Sequence, residues 1–381
     1  MSYFAILGKH KQISLAELQY ISPENLKTHG PIAVFDTQFP DKLKQLWGII
    51  KRGKTTILGE LSTSSDLIRP HQTSSPLLIW TNSRLLGKYL KDSWYTKRFK
   101  ELTLDHCDLE VQDKWQELIL IHSNESLDET VQIGIVTGYQ DIWLFEVVDF
   151  EKPSSGMGIW MMPAKLALTM INIALYHHQT GHKNILSNNE IKVNLWEEEY
   201  LWKWKYTIYD PFCGFGTTGF LANAHGYDVI CSDINGSLIK PNLTWWQKHA
   251  RRTDHRFTAF KHDATDSITK PFIKHTDIIV TEWWLGPIVT TRLMPKVAHH
   301  QLAQIWQVYC KFIEQINSYF DNITICMTIP VYRIYEINVI LEMIEDLLWN
   351  NDKWTILPIP QVYERKWQFV MRQILVLQKK S

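Results

Sequence analysis

An excess of charge of either sign is missing from this sequence: 40 Lys and Arg offset 40 Asp and Glu over 381 residues. The field of the whole molecule therefore steers no polyanion, and any nucleic acid has to meet a local patch. Cysteine is scarce. Cys107, Cys213, Cys231, Cys310 and Cys326 are odd in number, widely spaced and without a C-x-x-C pair, which argues against a disulfide framework or zinc site and for a reducing compartment. No basic segment followed by an apolar run opens the sequence, so a secretory leader is not expected and the cytoplasm is. Long hydrophobic runs are lacking too. The nearest, Met157 to Leu175, is broken by Gly158, Pro163 and Lys165 and holds Asn172; it reads as a buried helix, and no membrane partner is expected. Internal repeats and low-complexity tracts are absent. His177-His178 and His299-His300 lack the i, i+4 spacing of helical metal pairs, so no metal is expected.

What is present is an ordinary globular composition, 45% apolar and 21% charged, in a chain long enough for about two domains. The second half alternates two patterns. Apolar β-type runs end at Asp210, Asp233, Asp263, Glu282 and Val331, four of the five on an acid. Helical stretches are expected between them, from Thr217 to His225, Gly236 to Ala250, His299 to Phe320 and Glu336 to Asn350. In the third, Leu302, Ile305, Trp306, Tyr309, Phe312, Ile313, Ile316 and Phe320 fall on one face. Two β-rich runs, Trp354 to Tyr363 and Phe369 to Gln378, close the chain. The expected fold class is α/β: a doubly wound, Rossmann-like domain over residues 157–381 with a C-terminal β-hairpin. Residues 1–150 read as a smaller α+β region. Tyr3 to Leu7 and Ala33 to Phe35 look like strands, and Ser14 with Glu17 looks like a capping box. The polar stretch from Asp66 to Ser75 is the expected internal linker, and Glu151 to Gly158 leads into the large domain.

In open parallel sheets ligands collect at the carboxyl ends of strands. Asp210 is followed by Pro-Phe-Cys-Gly-Phe-Gly-Thr-Thr-Gly, where Gly214 and Gly216 let the backbone approach a ligand before a helix starts near Thr217. Gly214, Gly216 and Gly219 satisfy G-x-G-x-x-G, with Asp233 19 residues after the first. That spacing fits a nicotinamide cofactor or S-adenosylmethionine. Two features favour the second: an aspartate at the turn would repel a pyrophosphate but suits an ammonium group, and the chain after Asp233 lacks room for a second mononucleotide half. The expected cofactor residues are Asp210, Phe212, Gly214, Gly216 and Thr217 for the methionine end, Asp233 with Ile234 for the ribose, and Asp263 with Ala264 for the adenine edge. Lys165 could reach a carboxylate. At the fourth strand end, Glu282 with the carbonyl of Trp283 could accept the hydrogens of an exocyclic amine, and the ring of Trp283 or Trp284 could stack on a base.

These segments resemble the tRNA guanosine N2-methyltransferases of archaea and eukaryotes that modify guanosine ten, and their bacterial relatives. Tyr3-Phe4-Ala5-Ile6-Leu7-Gly8 with Ser14-Leu15-Ala16-Glu17-Leu18 is similar to the family's amino-terminal domain. Asp149-Phe150, Lys152-Pro153 and Met161 to Asn172 are similar to the start of its catalytic domain, Asp210 to Gly216 to its cofactor loop, and Arg372-Gln373-Ile374 to its last hairpin. The resemblance implies a class I methyltransferase domain, S-adenosylmethionine as cofactor and tRNA as partner. It also implies a ferredoxin-like and THUMP-like amino-terminal region near residues 77–125, with Lys97, Arg98 and Lys100 as the basic cluster, and a possible small activating subunit. At the catalytic loop the sequence departs from the family: its acid-Pro-Pro-aromatic is replaced by Glu282-Trp283-Trp284-Leu285. The expected activity is methyl transfer to an exocyclic amine of RNA, guanine N2 of tRNA foremost. The alternatives are a DNA amino-methyltransferase and a non-catalytic RNA-binding scaffold of the same fold.

Overall fold

The structure is a computed structural model that describes residues 2–29, 31–39, 42–43, 46, 49–60, 77–81, 116–122, 130–139, 142–153, 161–187, 206–249, 255–287, 289, 291, 293–332, 354–364 and 369–379. The expected linker at 66–75, the basic cluster at Lys97, Arg98 and Lys100, and the expected helix at 336–350 lie outside these residues. The chain divides into two compact units, Met1–Gln140 and Asp141–Ser381.

The first unit is built on one seven-stranded sheet. Its strands are β1 (Ser2–Leu7), β2 (Glu24–His29), β3 (Ile32–Asp36), β4 (Ile49–Glu60), β5 (Leu77–Thr81), β6 (Gln116–His122) and β7 (Thr130–Tyr139). They lie in the order β2-β3-β1-β4-β7-β6-β5, antiparallel except for the β5–β6 pair. Phe4 and Ile6 alternate on β1 and meet Ile32 and Val34 of β3, the period-two placement of a strand with one buried face. Helix α1 (Lys11–Leu18) follows β1. The expected capping box is not formed there. His10 holds the N-cap position without a side-chain bond, and Ser14 lies a turn inside, its hydroxyl donating to the His10 carbonyl at 3.3 Å and accepting the Gly8 N–H at 3.2 Å. That oxygen ties the β1–α1 turn to the helix, a local side-chain to backbone bond that competes with capping.

The second unit begins with α2 (Ile142–Phe150) and α3 (Ala164–Ser187), then alternates β8 (Thr207–Asp210), α4 (Thr217–Ala224), β9 (Asp228–Asp233), α5 (Ile239–His249), β10 (Phe257–Lys261), β11 (Ile278–Glu282), α6 (Pro295–Tyr319) and β12 (Ile323–Tyr332), and ends in the hairpin strands β13 (Trp354–Tyr363) and β14 (Val370–Lys379). The sheet order is β10-β9-β8-β11-β12-β14-β13. Strands β8 to β12 run parallel, and β14 enters antiparallel to both neighbours. The runs expected from sequence fall on these strands within two residues at most ends, and β13 matches its expected bounds.

Along β12 the residues Ile323, Ile325, Met327 and Ile329 point to one face, where they join Leu302, Ile305, Tyr309, Phe312, Ile313 and Ile316 of α6 in one core cluster. All of these were expected on the buried face of α6 from their 3.6-residue spacing, and burial of each such side chain contributes roughly 1.5 to 3 kcal/mol. Helix α3 covers the other face, packing on β11, β12, β14 and α4. Its first free amide, that of Ala164, is capped by the Asp149 carboxylate at 2.9 Å, so Pro163 stands just before the helix, its carbonyl accepting the Ala167 N–H. No helix among the described residues is long and apolar enough to cross a membrane.

Candidate active site

Strands β8 and β11 are hydrogen-bonded neighbours, yet the chain leaves β8 toward β9 on one side and β11 toward β12 on the other. Where the winding reverses, the two connections part and leave a crevice at the carboxyl ends. Asp210 ends β8 and Glu282 ends β11. Both line the same cleft, whose floor is the turn from Phe212 to Thr218 and whose wall includes Met161 and Met162 ahead of α3.

Asp210 is 3% exposed. Its Oδ1 accepts the Thr281 hydroxyl at 2.6 Å and the Phe212 N–H at 3.2 Å, and the Thr218 hydroxyl also bonds to the carboxylate. Burial outweighs these bonds and pushes the carboxyl up to about 7, with Asp233 adding repulsion. The turn that follows is fixed to the end of β9. Gly214 N–H donates to Asp233 Oδ2 at 2.9 Å, Asn235 N–H to Oδ1 at 2.8 Å, and Cys213 N–H to the Ser232 carbonyl at 3.0 Å. Gly216 closes the turn at φ +85°, where an added Cβ would fall 2.3 Å from Ile239 Cδ1; only glycine fits that conformation and that space. Helix α4 then starts at Thr217 with no side-chain cap, so its first N–H groups remain available. Beneath it lies Lys152, 2% exposed, whose Nζ donates to Thr217 Oγ1 at 2.7 Å. Burial lowers this ammonium to about 8 despite the nearby Asp149.

On the opposite side, Arg372 of β14, itself buried, donates through Nε to Oε1 of Glu282. No described donor reaches Oε2. The loop beyond carries no proline at its bend, but two tyrosine hydroxyls hold it: Tyr309 donates to the Trp284 carbonyl and Tyr332 to the Leu285 carbonyl, each at 3.3 Å. The Trp283 carbonyl has no such bond among the described residues. Gly286, at φ +92°, packs where a Cβ would lie 2.9 Å from both Ile305 Cδ1 and the Tyr332 hydroxyl.

The structure thus brings Asp210, Phe212, Gly214, Thr217 and Glu282 to one cleft. Asp233 stands behind the glycine turn. Ile234 beside it is 63% exposed. Asp263 lies two residues past β10, its Oδ1 accepting the N–H and hydroxyl of Thr265 at 2.9 and 2.8 Å, with Ala264 buried next to it. Lys165, half-buried in the first turn of α3, does not line the cleft. The two tryptophans separate. Trp283 is 1% exposed, packed on Tyr309, Phe312 and Phe212, so its ring belongs to the core and cannot stack on a base. Trp284 is 40% exposed and remains the candidate. Sequence reasoning missed Lys152 and Arg372 as site residues. Each is a charged residue in an apolar setting, the one signal that could have marked them.

The strand order, with the third strand at one edge and an antiparallel seventh between the fifth and sixth, is that of the Rossmann-like class I methyltransferase fold. No family model matches the sequence, and no curated protein does. Among solved structures, the chain is similar to TYW2 of P. horikoshii in complex with MeSAdo, at 16% identity and a TM-score of 0.33 over 46% of this chain and 58% of that one. It is also similar to the magnesium protoporphyrin IX methyltransferase of Synechocystis PCC 6803 with bound SAM, at 14% identity and 0.33 over 64% and 99%, and to an rRNA methylase of Streptococcus thermophilus, at 10% and 0.30 over 46% and 89%. The chain spans less than two thirds of the length of the TYW2 chain.

Proposed function

We propose that this protein is an S-adenosylmethionine-dependent methyltransferase acting on an exocyclic amine of RNA, the guanine N2 of tRNA foremost. The observation that carries the proposal is the placement of Asp210 and Glu282 at the ends of the two strands where the winding reverses, on either side of a glycine turn, in one cleft. The residues present fit the cofactor. Asp210 is a buried carboxylate raised by desolvation, which an ammonium group would relieve. An added Cβ at Gly214 meets nothing within 4 Å, so its absence leaves room for a ligand against the turn. The enclosed part of the cleft holds about 70 Å³, enough for the amino-acid end but not for a nucleoside, which would lie toward Asp233, Ile234 and Asp263. The cofactor supplies an electrophilic methyl group on its sulfonium.

Glu282 and the Trp283 carbonyl orient the amine. A carboxylate held by Arg372 is an acceptor only. Guanine presents two donor groups side by side, N1–H and N2–H₂, whereas adenine and cytosine place a ring-nitrogen acceptor beside the amine. An acceptor-only glutamate favours the guanine arrangement by avoiding that lone-pair clash. Trp284 offers a face for the base, and the first unit is proposed to dock the RNA. The family resemblance of the sequence supports the choice of RNA.

The test is incubation with methyl-labelled S-adenosylmethionine and deproteinised RNA or DNA from the host. Label in one RNA nucleoside, N2-methylguanosine, is expected. Label in DNA alone, or cofactor binding without transfer to any nucleic acid, would overturn the proposal in favour of a DNA enzyme or a scaffold.

A further inference from the structure

We infer that the cleft contains a recognition site for a free α-amino-acid end, in which Asp210 takes the ammonium and Lys152, acting through the hydroxyl of Thr217, fixes the carboxylate. This deepens the cofactor reading and rests on it. Lys152 is a positioning residue: it lies beneath the floor, 2% exposed, and does not itself line the cleft.

The hydrogen-bond logic of Thr217 is what points to an anion. An ammonium group can only donate, so the bond from Lys152 Nζ to Thr217 Oγ1 occupies a lone pair of that oxygen. The hydroxyl proton must then turn elsewhere, and among the described residues no acceptor receives it. Thr217 lines the cleft, so the acceptor is supplied by the ligand.

A second observation agrees. Helix α4 carries no side-chain cap, and its first N–H groups and positive dipole end face the same point. The cation beneath needs a counter-charge, because a buried ammonium is costly unless paired. Asp149 is near enough to act on Lys152, but its Oδ1 is engaged in capping α3 at Ala164.

The neighbouring hydroxyl, that of Thr218, bonds instead to Asp210. Two consecutive threonines therefore serve opposite charges, one relaying a cation and the other holding an anion. A carboxylate and an ammonium on a single carbon match that spacing, as in an amino acid; a phosphate would meet Asp210 as a like charge.

Calorimetry at pH 7.5 with S-adenosylhomocysteine and with 5′-methylthioadenosine, which lacks the amino-acid end, separates the possibilities without any methyl acceptor. The wild-type protein should bind S-adenosylhomocysteine at least about tenfold more tightly. Lys152→Met and Thr217→Val should each weaken S-adenosylhomocysteine about tenfold to fiftyfold and leave methylthioadenosine unchanged, because the lost bond is to a charged group. Thr217→Ser keeps the hydroxyl and should restore wild-type discrimination. Should Lys152→Met fail to fold, the Thr217 pair decides alone. Equal weakening of both ligands, or Thr217→Val with wild-type affinity for S-adenosylhomocysteine, would overturn the inference while leaving the cofactor reading standing. A wild-type protein that binds neither ligand overturns both.

Discussion

Arg372, buried in the antiparallel strand β14, is the ion-pair partner of Glu282 at the end of the parallel strand β11. The hairpin that closes the sheet thus delivers a cation to the cleft. Removing one member of a buried pair leaves the other uncompensated, at a cost of about 3 to 5 kcal/mol. Arg372→Met should therefore lower stability by that order in chemical denaturation. The double variant Glu282→Gln with Arg372→Met should regain most of it, since neither charge remains. If the two single losses simply add, the pair is not coupled as described.

Glu282 itself should matter for rate and not for cofactor affinity. A group that orients the amine acts mainly in the transition state, so Glu282→Ala should cut methyl transfer by roughly a hundredfold or more, with S-adenosylhomocysteine binding nearly intact. Glu282→Asp should be impaired as well, since its carboxylate falls a methylene short of Arg372. Equal transfer by wild type and Glu282→Ala would remove the catalytic assignment.

The loop after Glu282 keeps its shape through tyrosines where the resembled family uses prolines. Tyr332→Phe deletes the bonds to the Leu285 carbonyl and to Gln301 and should cost about 1 kcal/mol of stability. Gly286→Ala should cost more, about 1 to 3 kcal/mol, because it adds strain at φ +92° to a contact at 2.9 Å. Thermal denaturation of the two variants should rank them in that order; transfer should fall in both while cofactor affinity stays within about twofold.

Much of this site could be read from the sequence because its parts are local. Asp210 and Asp233 end apolar runs, and Gly214 and Gly216 punctuate the step from strand to helix, so residue order alone placed them. The α6 face was legible for the same reason: its period is a local property. Lys152 and Arg372 were not legible as site residues, since each meets its partner across the fold, 65 residues from Thr217 and 90 from Glu282. Trp283 and Trp284 look alike in sequence; only the pleat at the strand end and the position of Tyr309 decide which ring is buried. Ser14 failed as a cap because the preceding turn needed its oxygen for Gly8.

Asp233 joins two duties. Its oxygens already accept the N–H groups of Gly214 and Asn235, and each keeps a lone pair for a ribose hydroxyl. Asp233→Ala should weaken S-adenosylmethionine by roughly ten- to a hundredfold, and it should also loosen the glycine turn. Asp233→Asn retains one acceptor and should fall between. Hydrogen exchange at the Gly214 amide would reveal the loosening; unchanged affinity in folded Asp233→Ala would remove the ribose assignment.

Cofactor affinity should pass through a maximum between about pH 7 and pH 8, set by Asp210 raised to about 7 and Lys152 lowered to about 8. The ammonium of the ligand needs Asp210 ionised, so affinity falls as pH drops below 7 and a proton takes its place. The carboxylate needs Lys152 protonated, so affinity falls again above 8. The signs for the ligand-free protein are the reverse. Asp210 has a folded value above its unfolded 3.8, so the folded state binds the extra proton and stability declines as pH rises from about 4 to 7. Lys152 has a folded value below its unfolded 10.5, so the unfolded state binds the extra proton and stability increases as pH rises from about 8 to 10. Between 7 and 8 both buried groups are charged and the ligand-free protein is at its weakest from these two terms. The groups facing them, Asp233 and the neutral thiols of Cys213 and Cys231 near Asp210, and Asp149 near Lys152, do not change charge in that window. S-Adenosylhomocysteine should therefore raise the melting temperature most between pH 7 and 8 and progressively less on either side. The Lys152→Met protein should lose the alkaline fall that belongs to the protein, leaving only that of the ligand's own amine, and keep the acid one. A melting shift that climbs steadily from pH 6 to pH 9 in the wild type would contradict the assignment of both groups.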